Sequence, residues 1–341
     1  MSSFPWLTFV TSPGGNTLTY HEPPLSQLDP ALRNDCKPSI VTFVGRRSKT
    51  VLLNQMLGDT VTVPVHRDVF LWSSPRLRTL DGCAPLLVID CGVQNSKVQP
   101  LNPALSDPTR AQTSWTVPKI SNFNAALCGR VFSPFSNVLC CFVNDLGGPK
   151  AVSRWLADLS AVPRSSDLPL VPRVLLIVET TSDTFDETVA AHRFVTHVED
   201  AIRSYGKDAE QYTTRPFEGS MEVLGLHSSK SNAHRAQTLK RRLVAMCDMS
   251  TRERASTLTQ LSCGHFLSLT KQMMACFSNN TNDFQLASAT RACGFSTSLL
   301  KSCLVDFLQQ LPSQVWLWHF AAPIIASALL LSSYPPRAHS K

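Results

Sequence analysis

The sequence predicts an α/β protein with a mainly parallel sheet, followed by a helical region. Short apolar runs rich in Val, Ile and Leu recur along the first two thirds of the chain, and amphipathic helical patterns separate several of them. Continuous apolar runs are typical of strands buried on both faces, as in a parallel sheet covered by helices. The runs are Ile40–Val44, Leu86–Ile89, Val138–Val143, Val174–Val178 and Met221–Leu226.

Helices are predicted between these strands at 49–57, 150–161 and 184–205. The third begins with Thr184-Phe-Asp-Glu187, the spacing of a capping box, in which a hydroxyl and a carboxylate bind free backbone N–H groups at the helix start. Strands that alternate with helices in this way indicate a single α/β unit.

The sequence pattern divides the chain into four segments. Residues 1–37 contain several prolines and little periodicity, so we predict an irregular arm. Residues 38–230 carry the strand and helix patterns, although 94–120 is predicted to be a long surface loop. The strand-like runs then stop, which predicts a helical region over 231–335 and a basic tail over 336–341.

Composition restricts the classes of function. The chain has 341 residues, 43% of them hydrophobic, which indicates a folded protein. Its net charge of +7 is too dilute to indicate a nucleic-acid partner, and we predict none. The 11 cysteines are odd in number and form no CxxC pair, which favours reduced thiols. With no secretory signal visible, we expect a cytoplasmic protein.

One segment has the order of a phosphate-binding loop: an apolar strand, a glycine, a Lys-Thr pair and an amphipathic helix. In the Walker A motif GxxxxGK[ST], the loop N–H groups and the lysine bind phosphate, and the hydroxyl binds Mg²⁺. Here the loop is two residues short, and Ser48 replaces the second glycine. We therefore predict a sheet of the P-loop NTPase type with a degenerate Walker A motif. The candidate nucleotide-binding residues are Gly45, Arg46, Arg47, Ser48, Lys49 and Thr50.

A magnesium site would need a second ligand beside Thr50, and Asp90 is the candidate because it ends an apolar run. An Asp in this position is also a common turn residue, so both roles stay open. If Mg²⁺ binds with GTP or ATP, Lys49, Thr50 and Asp90 would carry a weak Mg-dependent NTPase activity. Packing of strand against helix, without any ligand, is the other interpretation.

Two segments fall where a GTPase would contact the base. Asp183 follows a predicted strand, but it is equally suited to cap a helix. The segment His227-Ser-Ser-Lys230 follows the last predicted strand. The NKxD element that recognises guanine is not found in order.

Taken together, these segments resemble the N-terminal region of large fungal patatin-like phospholipases. In that family a GTPase-like domain and a helical segment precede the lipid-hydrolysing domain, and the resemblance implies the same two parts here. The segments that carry it are Phe43–Gly45 with Lys49–Leu53, Leu86–Cys91, Arg173–Asp183 and Phe320–Pro336.

The catalytic motif of the patatin family, GxSxG, is missing from this sequence. The nearest string, Gly294-Phe-Ser-Thr-Ser298, lacks the final glycine. We therefore expect a truncated relative with a non-catalytic role in nucleotide binding or interaction. The resemblance implies a patatin-type catalytic domain, or another protein, as a partner for the C-terminal helices.

Residues 315–331 form a run of 17 residues without a formal charge, at the lower limit for a membrane span. Membrane attachment through this C-terminal segment is therefore an alternative to a buried helix. His319 and Pro323 near its centre favour the buried helix.

Overall fold

The computed structural model describes most of the predicted α/β unit and part of the region C-terminal to it. The described residues are 3–12, 15–23, 29, 32–58, 69–78, 85–92, 112–117, 127–161, 171–204, 220–256, 260–279, 304–305, 307–309 and 317–333. The basic tail predicted at 336–341 lies outside them.

The described chain folds as a mixed α/β structure around one sheet, with the strand order β6-β2-β1-β4-β5-β3-β7-β8-β9. All five predicted apolar runs are confirmed as strands, and β5, β3, β7, β8 and β9 pair with one another in parallel. The strands are β1 Ser3–Ser12, β2 Gly15–His21, β3 Ser39–Gly45, β4 Val69–Arg78, β5 Pro85–Gly92, β6 Gln112–Val117, β7 Val138–Phe142, β8 Arg173–Thr180 and β9 Met221–His227.

The other half of the sheet is antiparallel and was not predicted. β4 pairs with β5, and β1, β2 and β6 extend the sheet beyond it. The irregular arm predicted for 1–37 therefore contains two strands of the sheet, and the loop predicted for 94–120 contains β6. Side chains alternate along β2, where Leu18 and Tyr20 are buried between polar neighbours, as in strands with one covered face.

Helices cover both faces of the sheet. On one face, apolar side chains of α1 and α4 pack against the parallel strands. On the other face lie α2, α3, α5 and a π-helical turn at Cys128–Phe132. The helices are α1 Arg47–Leu57, α2 Pro149–Ala161, α3 Glu187–Ser204, α4 Asn232–Ser256, α5 Cys263–Ser278 and α6 Ala322–Ser333.

Two helices after residue 230, α4 and α5, pack against the sheet. Leu239, Leu243 and Met246 of α4 are fully buried with strand residues, and Phe266 of α5 packs against Trp6 of β1 at a ring-centroid distance of 5.6 Å. After residue 230, α4 thus belongs to the buried cluster on one face of the sheet and α5 to the cluster on the other face.

The start of α3 differs from the predicted capping box. The carboxylate of Asp186 accepts the N–H groups of Thr188 (2.8 Å) and Val189 (3.0 Å), so Asp186 caps the helix. Glu187 instead accepts the N–H of Gly225 on β9 and pairs with Arg242. A tertiary contact has replaced the local one because Glu187 faces the sheet.

The apolar C-terminal segment is helical where it is described. A π-helical turn at Leu317–Ala321 leads into α6, with Trp318 71% exposed and Ile324 41% exposed. Among the helices that the structure describes, none combines the length and apolar character that a membrane crossing requires.

Candidate functional site

The predicted phosphate loop joins β3 to α1 at the carboxyl edge of the parallel strands. Gly45 is the last residue of β3 and is buried, whereas Arg46 and Ser48 are half-buried and Arg47 is exposed. In P-loop proteins the N–H groups at this helix start point toward a bound phosphate. The partner group that accepts hydrogen bonds from these N–H groups in this structure therefore determines what else the loop can bind.

That partner is the carboxylate of Asp145, in the turn between β7 and α2. It accepts hydrogen bonds from the backbone N–H groups of Arg46 (2.6 Å), Ser48 (3.1 Å) and Lys49 (3.0 Å). An anionic side chain thus lies where the loop would hold an anionic ligand, and the partial positive charge of the helix start stabilises it.

Gly45 allows this approach. A Cβ atom at this position would lie 2.9 Å from the Asp145 Oδ2 atom and 2.9 Å from the Phe142 Cβ atom. Such separations are shorter than van der Waals contact, so a larger residue at position 45 would force the carboxylate, Phe142 or the loop itself to shift. In this structure the glycine of the motif therefore leaves room for the Asp145 carboxylate.

Lys49 and Asp90 lie together, as a site for phosphate and magnesium requires, but they form an ion pair with each other. The Lys49 ammonium donates to the Asp90 carboxylate and, at 3.0 Å, to the carbonyl of Cys91. Both side chains are buried, with 4% and 3% exposed. A buried lysine without a partner would carry a large desolvation penalty, and this ion pair offsets it.

Thr50, the other candidate magnesium ligand, also has an internal partner. Its hydroxyl donates to the carbonyl of Arg46 at 2.8 Å, one helical turn earlier. This bond is common for threonine inside a helix. Among the described residues, no group of three or more His, Cys, Asp or Glu side chains forms a metal site.

Asp145 is the site residue that the sequence did not reveal. It follows a predicted strand in the segment Val143-Asn-Asp-Leu-Gly-Gly148, and the glycines at 147 and 148 have positive φ values of 92°. Those glycines predict a tight turn. Only the parallel pairing of β3 with β7 shows that this turn meets the phosphate loop.

The two segments predicted near a base site meet at the ends of β8 and β9. The His227 Nε2 atom lies 3.1 Å from the Asp183 carboxylate and 3.1 Å from the Thr181 carbonyl, and its Nδ1 atom lies 2.7 Å from the Ser229 hydroxyl. Asp183 is 95% exposed and does not cap α3. The proximity was not predicted, and these exposed contacts contribute little stability.

No protein-family model matches the chain, and no curated protein matches it. Among solved structures, one of the mammalian SRP receptor aligns with 61% of this chain and 99% of that chain, at 13% identity and a TM-score of 0.37. The siderophore hydrolase EstA from Aspergillus nidulans aligns with 73% of this chain and 94% of that chain, at 9% identity and a TM-score of 0.28. Scores this low carry no argument about activity, and these matches do not support the predicted relationship to patatin-like phospholipases.

Proposed function

We propose that this protein is a non-catalytic interaction module on a P-loop-like α/β fold, in which Asp145 takes the place of a nucleotide phosphate. The contact of its carboxylate with three N–H groups of the loop carries the proposal. Carboxylate and phosphate are both anions, and the same N–H groups cannot bind both at once.

A nucleotide would have to compete with Asp145 for the loop. The turn between β7 and α2 holds this carboxylate beside the N–H groups, and a tethered group competes at an effective concentration in the millimolar range or above. Once displaced, its negative charge would remain near the phosphates. We therefore expect the affinity for Mg-GTP or Mg-ATP to be at least about tenfold weaker than in a protein without this carboxylate.

The catalytic alternative, a weak Mg-dependent GTPase or ATPase, needs further rearrangement. Lys49 would have to leave Asp90 to bind phosphate, and the Thr50 hydroxyl would have to leave the Arg46 carbonyl to bind Mg²⁺. Each lost contact adds to the free energy that nucleotide binding must supply. This supports the non-catalytic role.

Exposed apolar side chains support a protein contact through the C-terminal region. Four of the eight large apolar side chains that are exposed among the described residues lie between 305 and 324: Val305, Leu308, Trp318 and Ile324. Helices that are apolar on several sides are stable when covered. Their proposed partner is a patatin-type catalytic domain or another protein, as the sequence resemblance implies.

A titration of fluorescent GTP and ATP, each with Mg²⁺, tests the site. The proteins are the wild type, Asp145→Ala, Asp145→Asn, Lys49→Ala and a control, Asp200→Ala, which removes an exposed carboxylate from α3. We expect no saturable binding by the wild type or the control, and a gain of binding in Asp145→Ala. A folded Asp145→Ala protein that gains none would contradict the assigned role of Asp145.

Micromolar binding by the wild type, lost in Lys49→Ala and accompanied by turnover, would contradict the non-catalytic proposal and favour the NTPase. The membrane alternative has its own test, which is fractionation of the full chain. Recovery in a carbonate-resistant pellet that depends on residues 315–331 would favour membrane attachment over a protein partner.

A further inference from the structure

Two cysteines lie side by side where the segment before β3 meets the start of α5. The N–H of Cys263 donates to the carbonyl of Cys36 at 2.7 Å, and the N–H of Gly264 donates to the carbonyl of Asn34 at 2.9 Å. A disulfide spans Cα atoms about 4.4–6.8 Å apart, and a direct backbone hydrogen bond brings two residues near this range.

Access to solvent distinguishes this pair from a second one. The sulfur atoms of Cys91 and Cys128 are 3.4 Å apart, but both residues are fully buried beneath the phosphate loop. Cys36 is only half-buried, whereas Cys263 is buried, so Cys36 is the more accessible residue of the pair. Cys36 is thus suited to react first and Cys263 to resolve the product.

We propose that Cys36 and Cys263 are a redox modification site, which a peroxide converts to a disulfide that fastens α5 to the chain before β3. The Cys36 thiolate attacks one peroxide oxygen and the O–O bond breaks, which gives a sulfenic acid and a hydroxide that takes up the proton lost by the thiol and becomes water. The deprotonated Cys263 then attacks the Cys36 sulfur, the S–O bond breaks, and the leaving hydroxide takes up the proton lost by Cys263 to form a second water. Two thiols lose two electrons, and one hydrogen peroxide is reduced to two waters.

The surroundings of the pair set its pH dependence. Burial raises the pKa of the Cys36 thiol, and the Asp35 carboxylate adds to this increase, whereas Arg78 on β4 opposes it. Burial raises the pKa of Cys263 to about 12. The thiolate is the attacking form, so the reaction is slow at neutral pH and accelerates as the pH rises.

The disulfide would stabilise the fold because it joins residues far apart in sequence. Closing such a long loop restricts the unfolded chain and raises the midpoint of thermal unfolding, provided that the native geometry accepts the bond. The helix that it fastens carries Phe266, which packs against Trp6 and Phe135 in the core. The cross-link therefore acts on a helix that already belongs to the folded structure.

Peroxide treatment of the full chain, followed by alkylation, proteolysis and mass spectrometry, tests the proposal. We expect a cross-linked peptide containing Cys36 and Cys263, a higher Tm for the oxidised protein, and faster formation at higher pH. The cross-link should be lost in Cys36→Ser and in Cys263→Ser. It should persist in Cys276→Ser, a matched control because Cys276 is half-buried at the other end of α5.

Three results would overturn the proposal: oxidation of Cys36 to a sulfinic acid without a cross-link, pairing of Cys36 with another cysteine, or a Cys91–Cys128 disulfide that forms first. Nucleotide binding does not enter this experiment. Its outcome is therefore independent of the role proposed for Asp145.

Discussion

The carboxylate of Asp145 accepts the backbone N–H of Arg46 at 2.6 Å, across 99 residues of sequence. Helix α1 has no side-chain cap of its own, since Arg46 at its N-cap position forms no such bond. Asp145 therefore caps the helix from the neighbouring strand turn. One carboxylate thus stabilises the loop and, in the proposed function, takes the place of a phosphate.

Removal of this cap should destabilise the protein. We expect Asp145→Ala to lower the free energy of unfolding by about 1–2 kcal/mol, the usual cost of losing an N-cap. Asp145→Asn keeps an oxygen acceptor and should cost less. Urea unfolding measures both, with Asp200→Ala as the surface control, which should change stability by less than about 0.5 kcal/mol. Equal effects of Asp145→Ala and the control would argue against capping.

A side chain at position 45 should act through the same carboxylate. Gly45→Ala places a methyl group 2.9 Å from the Asp145 Oδ2 atom and from the Phe142 Cβ atom, so the loop must shift. Overpacking of this kind costs about 1–3 kcal/mol. Circular dichroism during thermal unfolding would show the loss as a lower Tm.

Combining the two changes tests whether they share a cause. If the methyl group added by Gly45→Ala acts partly by displacing the carboxylate, then Gly45→Ala combined with Asp145→Ala should cost less than the sum of the single changes. Simple additivity would show that the clash is with the Cβ atoms of Phe142 and Lys49 and does not involve the carboxylate. Urea unfolding of all four proteins completes the double-mutant cycle.

The parallel strands were predictable because burial on both faces leaves a continuous apolar run, as in Leu86–Ile89. The antiparallel strands were missed because their signal is weaker. Pro5 within β1 suggested an irregular arm, although β1 pairs with β4 across a register shift between Pro5 and Leu7. The alternation at Leu18 and Tyr20 was present in the sequence and would have predicted β2.

The candidate site, like the sheet, was predictable from the sequence only in part. Local order along the chain placed Lys49 at the start of a helix and Asp90 at the end of a strand, and the parallel pairing of β3 with β5 brings them together. Asp145 could not be found by such reasoning, because its role depends on a contact between distant turns. The motif suggested that the loop binds a phosphate, whereas in the structure the loop N–H groups bind the carboxylate of Asp145.

The buried Lys49–Asp90 pair should be far more sensitive to single than to double replacement. Lys49→Met leaves the Asp90 carboxylate buried without its cation, and loss of one partner of a buried pair costs about 3–5 kcal/mol. Adding Asp90→Asn removes the orphaned charge and should restore much of the stability. Urea unfolding of the single and double variants measures the coupling.

The surface pair of Arg203 with Asp200 is the control for that cycle, because both side chains are more than half exposed. Its coupling should stay below about 1 kcal/mol. If the Lys49–Asp90 coupling is equally small, water must reach the pair, and Lys49 would be available to a phosphate.

Acid should weaken the start of α5 through His265. Burial lowers the pKa of this side chain, and the nearby Lys37 lowers it further; its Nδ1 atom lies 2.8 Å from the hydroxyl of the N-cap residue Ser262. Between the lowered pKa and the ordinary value of about 6.5, the unfolded chain binds the proton more tightly, so stability falls as the pH falls through this window. A protonated imidazole also opposes the positive end of the helix dipole.

Thermal unfolding followed from pH 7 downward should therefore show a smaller loss of Tm in His265→Gln than in the wild type. His197→Gln, which changes an exposed histidine of α3, should match the wild type. Identical pH profiles for His265→Gln and the wild type would show that the acid sensitivity arises elsewhere.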